Sequence, residues 1–195
     1  MKRPIALLKA HEKTKEKGLI AMEYFRLKQD QDFLNAPFVL DVIKQIDPRL
    51  ITLEQAHHID EITIFQIENK ESHDFIDLLS RQLFLVSGPL KEIIKLYAPG
   101  LTFKMVMLVN QVQKQHKNYY LPIFEPIDCL SNNSIMTPDR SLVKEVVLIL
   151  SAIEKYPIFR IAHSQETIIV VRLDLAESIL RRNFHGIVLE QVELE

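Results

Sequence analysis

Leu83-Phe84-Leu85-Val86-Ser87-Gly88-Pro89-Leu90-Lys91-Glu92-Ile93-Ile94-Lys95-Leu96-Tyr97-Ala98-Pro99-Gly100 sets the class of fold. Leu83–Val86 is a short continuous apolar run, which reads as a strand. Ser87 or Gly88 can then cap a helix, and Pro89 suits the first turn, where its missing N–H costs nothing. Leu90, Ile93, Ile94 and Tyr97 return at helical spacing and form one apolar stripe. Pro99-Gly100 ends the helix, and Leu101–Val109 begins a second apolar strand.

Further strands are expected downstream at Tyr119–Ile127, Glu145–Leu150, Ile158–Ile161, Thr167–Val171 and Gly186–Val192, with a helix at Asp174–Arg182. Upstream, Leu19–Leu27 and Glu61–Ile67 carry β-branched and aromatic residues at near-alternating spacing. In the second, Ile62, Ile64 and Gln66 face one way, and Glu61, Thr63, Phe65 and Ile67 the other. Neither face is cleanly polar, so this strand is expected to be covered on both sides. Runs of neighbouring strands with few helices predict an α+β fold, with a mixed, largely antiparallel sheet and a few packed helices.

The remaining chain bounds the organisation. It has 195 residues, 47% of them hydrophobic, and a net charge of −2. This is enough for one domain with a core that needs neither disulfides nor metal. Residues 4–17 read as a helix between Pro4 and Gly18, so the expected layout is an arm at 1–18 and a single domain at 19–195. Met1-Lys2-Arg3 resembles the head of a signal peptide. However, the apolar run after it is only Ile5–Leu8, and no window is long and apolar enough to span a membrane. With one cysteine, Cys129, the chain cannot form an internal disulfide, which favours a reducing compartment and a cytoplasmic location.

Catalytic signatures are sparse. The glycines at 18, 88, 100 and 186 are too dispersed for a Walker or dinucleotide loop, which leaves other kinds of nucleotide site open, and no cofactor is expected. The histidines make no His-Glu-x-x-His or i,i+4 pair. His57-His58 is their only cluster, and adjacent side chains point apart, so no metal site is expected. Ser141 and Lys144 match Ser-x-x-Lys without its companion motifs, in a segment that runs into a strand. Cys129 has no basic neighbour in sequence to activate it. An enzyme reading would have to assemble His57, His58, Asp128 and Cys129 from scattered positions. A third reading is a structural or adaptor subunit that self-associates, possible as a homodimer, through an exposed sheet edge.

Charge is distributed more tellingly. Residues 54–77 hold seven carboxylates against Lys70 alone, a local charge of −6 in a chain of −2. Such a face either is simply solvated or draws basic partners, and it repels nucleic acid. Asp60, Glu61, Glu68, Glu71 and Asp74 are the candidate contact residues. Residues 1–17 have the opposite balance, +4.

The C-terminal half carries an ordered set of short signals. Tyr119-Tyr120-Leu121-Pro122-Ile123-Phe124 leads into Ile127-Asp128-Cys129-Leu130-Ser131, with Ser134 nearby. Val146–Leu150, Ile158-Phe159-Arg160-Ile161, Thr167–Val171 and Phe184-His185-Gly186-Ile187 follow, with a weaker echo at Glu23-Tyr24-Phe25-Arg26-Leu27. This order resembles an immunity-protein family of bacterial polymorphic toxin systems over roughly residues 80–195. Ser131 departs from the pattern, standing where that family usually has a second Asp. The resemblance implies a non-enzymatic cytoplasmic protein that neutralises a cognate protein toxin by binding it, and it carries over no catalytic residue. Asp128, Phe159, Arg160 and Gly186 are then structural: Phe159 in a core, Asp128 paired with Arg160 across the sheet, and Gly186 in a helix-to-strand turn of positive φ.

Overall fold

The computed structural model describes residues 22–139 and 141–195, so the helix expected over 4–17 and the start of the strand expected from Leu19 lie outside the described residues. In chain order the first elements are β1 (Tyr24–Gln29), α1 (Val42–Gln45), β2 (Ile62–Gln66), β3 (Leu78–Leu79), β4 (Leu85–Ser87) and α2 (Gly88–Tyr97). They are followed by β5 (Thr102–Asn110), β6 (Gln115–Ile123), β7 (Pro126–Ile127), β8 (Ile135–Met136), β9 (Val143–Glu145) and β10 (Val147–Leu148). The last are α3 (Leu150–Ile153), β11 (Ile158–Ile161), β12 (Ile169–Arg172), α4 (Leu173–Leu180) and β13 (Ile187–Leu194). The fold is α+β with mixed, largely antiparallel sheets, as the sequence predicts.

One sheet has six strands in the order β10-β13-β1-β12-β11-β7, and the other has five in the order β2-β5-β6-β4-β3. β8 and β9 form a separate pair. In the six-stranded sheet β1 lies antiparallel to β12 and β13, with Phe25 opposite Val171 and Leu27 opposite Leu189. The five-stranded sheet is built on the β5–β6 hairpin, with Met105 opposite Tyr120, and β2 joins it parallel to β5.

Strand alternation splits each sheet's side chains into two sets. Phe25, Leu27, Ile169 and Val171 meet Leu90 and Ile94 of α2 and Leu175 and Ile179 of α4. Leu78 and Val86 join the same core, so α2 packs between the two sheets. On the other side of the six-stranded sheet, Tyr24, Phe159, Ile161 and Val170 pack with Cys129, Leu148 and Ile153. Phe65, Val106, Leu108, Tyr119 and Leu121 form the inner face of the five-stranded sheet, roofed by Ile46, Ile59 and Ile76 from the irregular segments.

The helix α2 forms as its sequence suggests. Ser87 Oγ accepts from Leu90 N–H at 3.3 Å, Pro89 occupies the first turn, and Leu90, Ile93 and Ile94 are buried. Asp77 ties this cap to the far end of the chain. Its carboxylate accepts from the Ser87 hydroxyl at 2.6 Å and from His185 N–H at 2.8 Å. Beside it Gly186 has φ 73°, and a Cβ there would lie 2.5 Å from Ile76 Cβ. Positive φ and close approach both demand glycine at this position.

Most strand boundaries shift by one or two residues from expectation, and three differ more. Tyr119–Ile127 breaks at Phe124-Glu125, and β7 crosses to the other sheet to pair with β11. Glu145–Leu150 divides into the end of β9, then β10, then the start of α3. The first strand begins at Tyr24 and runs on to Gln29.

The larger correction concerns β2, which is not covered on both sides. Ile62 and Ile64 are 54% and 53% exposed, while Thr63, Phe65 and Ile67 are buried. The helix that could have covered the outer face is α2, and it packs over β4 and β6 instead. The expected Asp128–Arg160 pair is also absent. Asp128 is exposed and lies 3.6 Å from His163, whereas half-buried Arg160 donates to the Ile51 carbonyl at 3.4 Å. Strand β11 points Arg160 towards the 51–53 segment, and β7 ends before Asp128 can turn back to it.

Candidate functional site

The open half of the five-stranded sheet is the distinctive surface of the molecule. In the parallel β2–β5 pairing Ile62 lies beside Met105 and Ile64 beside Met107. Across the hairpin Met105 faces Tyr120, and Met107 faces Asn118. Because the pleat alternates, these side chains share the outer face. Phe38 and Leu40 extend it: Val39 bridges to Ile67 in antiparallel sense, which turns Phe38 and Leu40 outward beside β2. They are 47% and 39% exposed, so apolar side chains recur along the outer face, with Gln66 and Asn118 among them. Single apolar residues on a surface are ordinary, whereas several gathered on one face make it a candidate interaction surface.

At the α2 end the surface dips into a hollow of about 390 Å³, lined by Ile62, Phe103, Met105 and Tyr120, with Lys91 and Lys95 on the helix side. Lys91 Nζ sits 4.1 Å from the centre of the Tyr120 ring, so its charge is already engaged with an aromatic face.

The five acidic candidates are all exposed, but they do not form one patch. Asp60 and Glu61 precede β2, while Glu68, Glu71 and Asp74 follow it. A five-residue strand separates the two groups by roughly 17 Å or more. They therefore rim the apolar row at both ends. Glu61 pairs with Lys104, Glu68 pairs with Lys70 at 3.1 Å, and His73 Nε2 lies 2.8 Å from the Glu68 carbonyl. Asp77, counted in the same acidic run, is the structural tie between α2 and the Gly186 turn.

The edge of β2 adds backbone chemistry. Met105 N–H donates to the Glu61 carbonyl, and Ile67 N–H to the Val109 carbonyl. In a parallel ladder alternate residues bond to the same neighbour, so Glu61, Thr63, Phe65 and Ile67 turn their backbone groups to β5. Ile62 and Ile64 turn theirs away. At the C-terminal end this edge is taken, because Leu40 N–H donates to the Gln66 carbonyl at 2.9 Å and Glu68 N–H to the Phe38 carbonyl at 2.9 Å. Among the described residues nothing pairs with the edge-facing groups of Ile62 and Ile64.

The scattered enzyme candidates remain scattered. His57 and His58 do not point apart as expected: in the 3-10 turn at Ala56–His58 their exposed rings lie 3.9 Å apart, centre to centre, tilted by 41°. Cys129 is buried, and burial, with Asp128 nearby, pushes its thiol up to about 12, the opposite of activation. Ser141 donates to Asp139 at 2.8 Å, and Lys144 stands on β9 rather than one helical turn along. Among the described residues no three His, Cys, Asp or Glu side chains gather as metal ligands. Phe159 lies in the core and borders a groove of about 580 Å³ lined also by Leu101, Ile123, Phe124, Tyr156 and Ile158, with Glu125 and Asp128 among its lining but not Arg160.

The sequence pointed to the acidic residues and missed the apolar surface between them. Its signal was present in the alternation Ile62-Thr63-Ile64-Phe65, but which of the two faces is covered depends on where α2 lands. No family model matches the chain, and neither does any curated protein. Among the described residues no helix is long and apolar enough to cross a membrane.

Proposed function

We propose that this protein is a non-enzymatic, cytoplasmic immunity protein that neutralises a cognate protein toxin by binding it through the outer face of β2 and β5. The observation that carries this reading is the apolar row of exposed Phe38, Leu40, Ile62 and Ile64 with half-buried Met105 and Met107, between two acidic rims. A specific protein interface has that anatomy, an apolar centre enclosed by polar residues that exclude water at the margin. The acid at both rims suits a basic partner and speeds its approach more than it tightens the final complex. The class of protein rests on the resemblance of residues 80–195 to the immunity family.

Capture of the product of the adjacent open reading frame tests the reading directly. A one-to-one complex should form, and a variant carrying Ile62→Lys with Met107→Lys should lose it while remaining folded. Reversing Asp60, Glu68 and Asp74 to Lys should slow association and flatten its salt dependence. Retention of full affinity by the apolar double variant would remove this surface from the interface.

A further inference from the structure

We infer that the free edge of β2 receives an extended segment of the partner as an added strand, with basic residues at the segment's ends and apolar residues at alternate positions. The inference rests on the docking face proposed above and concerns how that face is used. Three observations lead to it. Ile62 and Ile64 each present an N–H and a C=O along the edge with no described partner. Such a row of unpaired groups is a template for another strand, and native proteins ordinarily cover it or blunt it with Lys or Pro. Here the exposed residues are two isoleucines, both strong strand formers.

The edge already pairs with an extended segment at its other end. Residues 38–40 already lie against its C-terminal end, with the Val39–Ile67 bridge setting the antiparallel register. An incoming segment would occupy the place that 38–40 leave open, beside Ile62 and Ile64. Its alternate side chains would fall on the outer face next to those isoleucines and to exposed Leu40. This is the strand-addition mode of recognition, in which backbone bonds supply affinity and alternate side chains supply selectivity.

Charge selects the occupant. Asp60 stands exposed at one end of the open edge beside the Glu61–Lys104 pair, and Glu71 and Asp74 stand exposed beyond the Glu68–Lys70 pair at the other. A second copy of the chain would bring the same acidic ends into its own, which opposes self-pairing. A segment flanked by Lys or Arg gains at both ends.

The test uses the full chain and a defined probe, the peptide Lys-Lys-Val-Thr-Val-Thr-Val-Lys-Lys, with a twin in which every Lys is Glu. Amide hydrogen exchange should slow by about tenfold or more at Ile62 and Ile64 when the Lys peptide saturates. The Glu twin should bind at least about tenfold more weakly. Ile64→Pro removes an N–H that β5 does not use, so the sheet should survive and peptide affinity should fall by about tenfold, whereas Ile64→Val should retain it. Equal binding of the two peptides, peptide binding without protection at Ile62 and Ile64, or no binding at millimolar peptide would each overturn the strand addition. So would protection of these amides in the free protein together with concentration-dependent dimerisation, which would give the edge to a second copy. None of these results touches capture of the toxin by the apolar face, which the Ile62→Lys, Met107→Lys variant reads separately.

Discussion

The two sheets use apolar residues for different ends. Every central strand of the six-stranded sheet is packed on both faces: Phe25 and Val171 look towards α2 and α4, while Tyr24 and Val170 look towards α3 and the 129–148 segment. The five-stranded sheet is packed on both faces only where α2 covers β4 and β6. Its β2–β5 half has one buried face and one facing solvent. Burial makes an apolar side chain contribute about 1.5–3 kcal/mol to folding, and a half-exposed one contributes a fraction of that. The isoleucines of β2 therefore do little for the fold.

The sharpest contrast is at Phe159. Its ring is 1% exposed and meets Tyr24 edge-on, with ring centres 5.9 Å apart, and Tyr24 in turn donates its hydroxyl to the Ile153 carbonyl at 2.9 Å. Phe159→Ala should destabilise the protein by about 3–5 kcal/mol, by loss of transfer free energy and by the cavity left beneath α3. Urea unfolding with an unchanged slope would measure it. A loss under about 1 kcal/mol would mean that this side of the six-stranded sheet is loosely packed, and the contrast between the sheets would collapse.

Cys129 gives a second, smaller probe of the same side. Its thiol is pushed up to about 12 from an ordinary value near 9, first by burial and then by Asp128. A thiol that stays protonated in the folded chain but ionises in the unfolded one stabilises the fold below about pH 9. That contribution is lost as pH rises from there towards about 12. Relative to Cys129→Ala, the wild type should lose stability between pH 9 and 11, and at pH 8 the thiol should react with a disulfide reagent only on unfolding. Rapid reaction in the native protein would show the 129–148 layer opening.

How much of this was legible depends on whether the deciding contact was local. The helix α2 was, because Ser87, Pro89, the apolar stripe and Pro99-Gly100 all lie within the helix or beside it. Gly186 was as well, since a glycine between a helix and a strand points to positive φ, although the close approach of Ile76 could not be foreseen. The two-residue strand β3 was not, because Leu78 and Leu79 are a strand only by virtue of Val86 and Leu85 opposite them. The missing Asp128–Arg160 pair failed for the same reason: its geometry is set by where β7 crosses between sheets. The acidic rims were read from composition, while the row between them needed the position of α2.

The smallest expected effect on stability is the most informative about function. Ile64 lies on the edge strand with its outer side chain 53% exposed, and its neighbours on that face are Met107 and Asn118 across the sheet. Ile64→Ser leaves the ladder with β5 intact, because that ladder is made by Thr63 and Phe65. It should change unfolding free energy by only about 1 kcal/mol, the fraction of a full burial that a half-exposed side chain carries. An apolar residue whose loss the fold barely registers is under little constraint from packing, and within the chain it contributes chiefly its strand propensity. A destabilisation of about 2 kcal/mol or more would mean that Ile64 is a buried core residue in solution, held by a part of the chain that closes over β2. The outer face would then be a second core like those of the six-stranded sheet. So small a loss for Ile64→Ser, combined with loss of toxin capture by the Lys variants, would set the two sheets apart as scaffold and docking face.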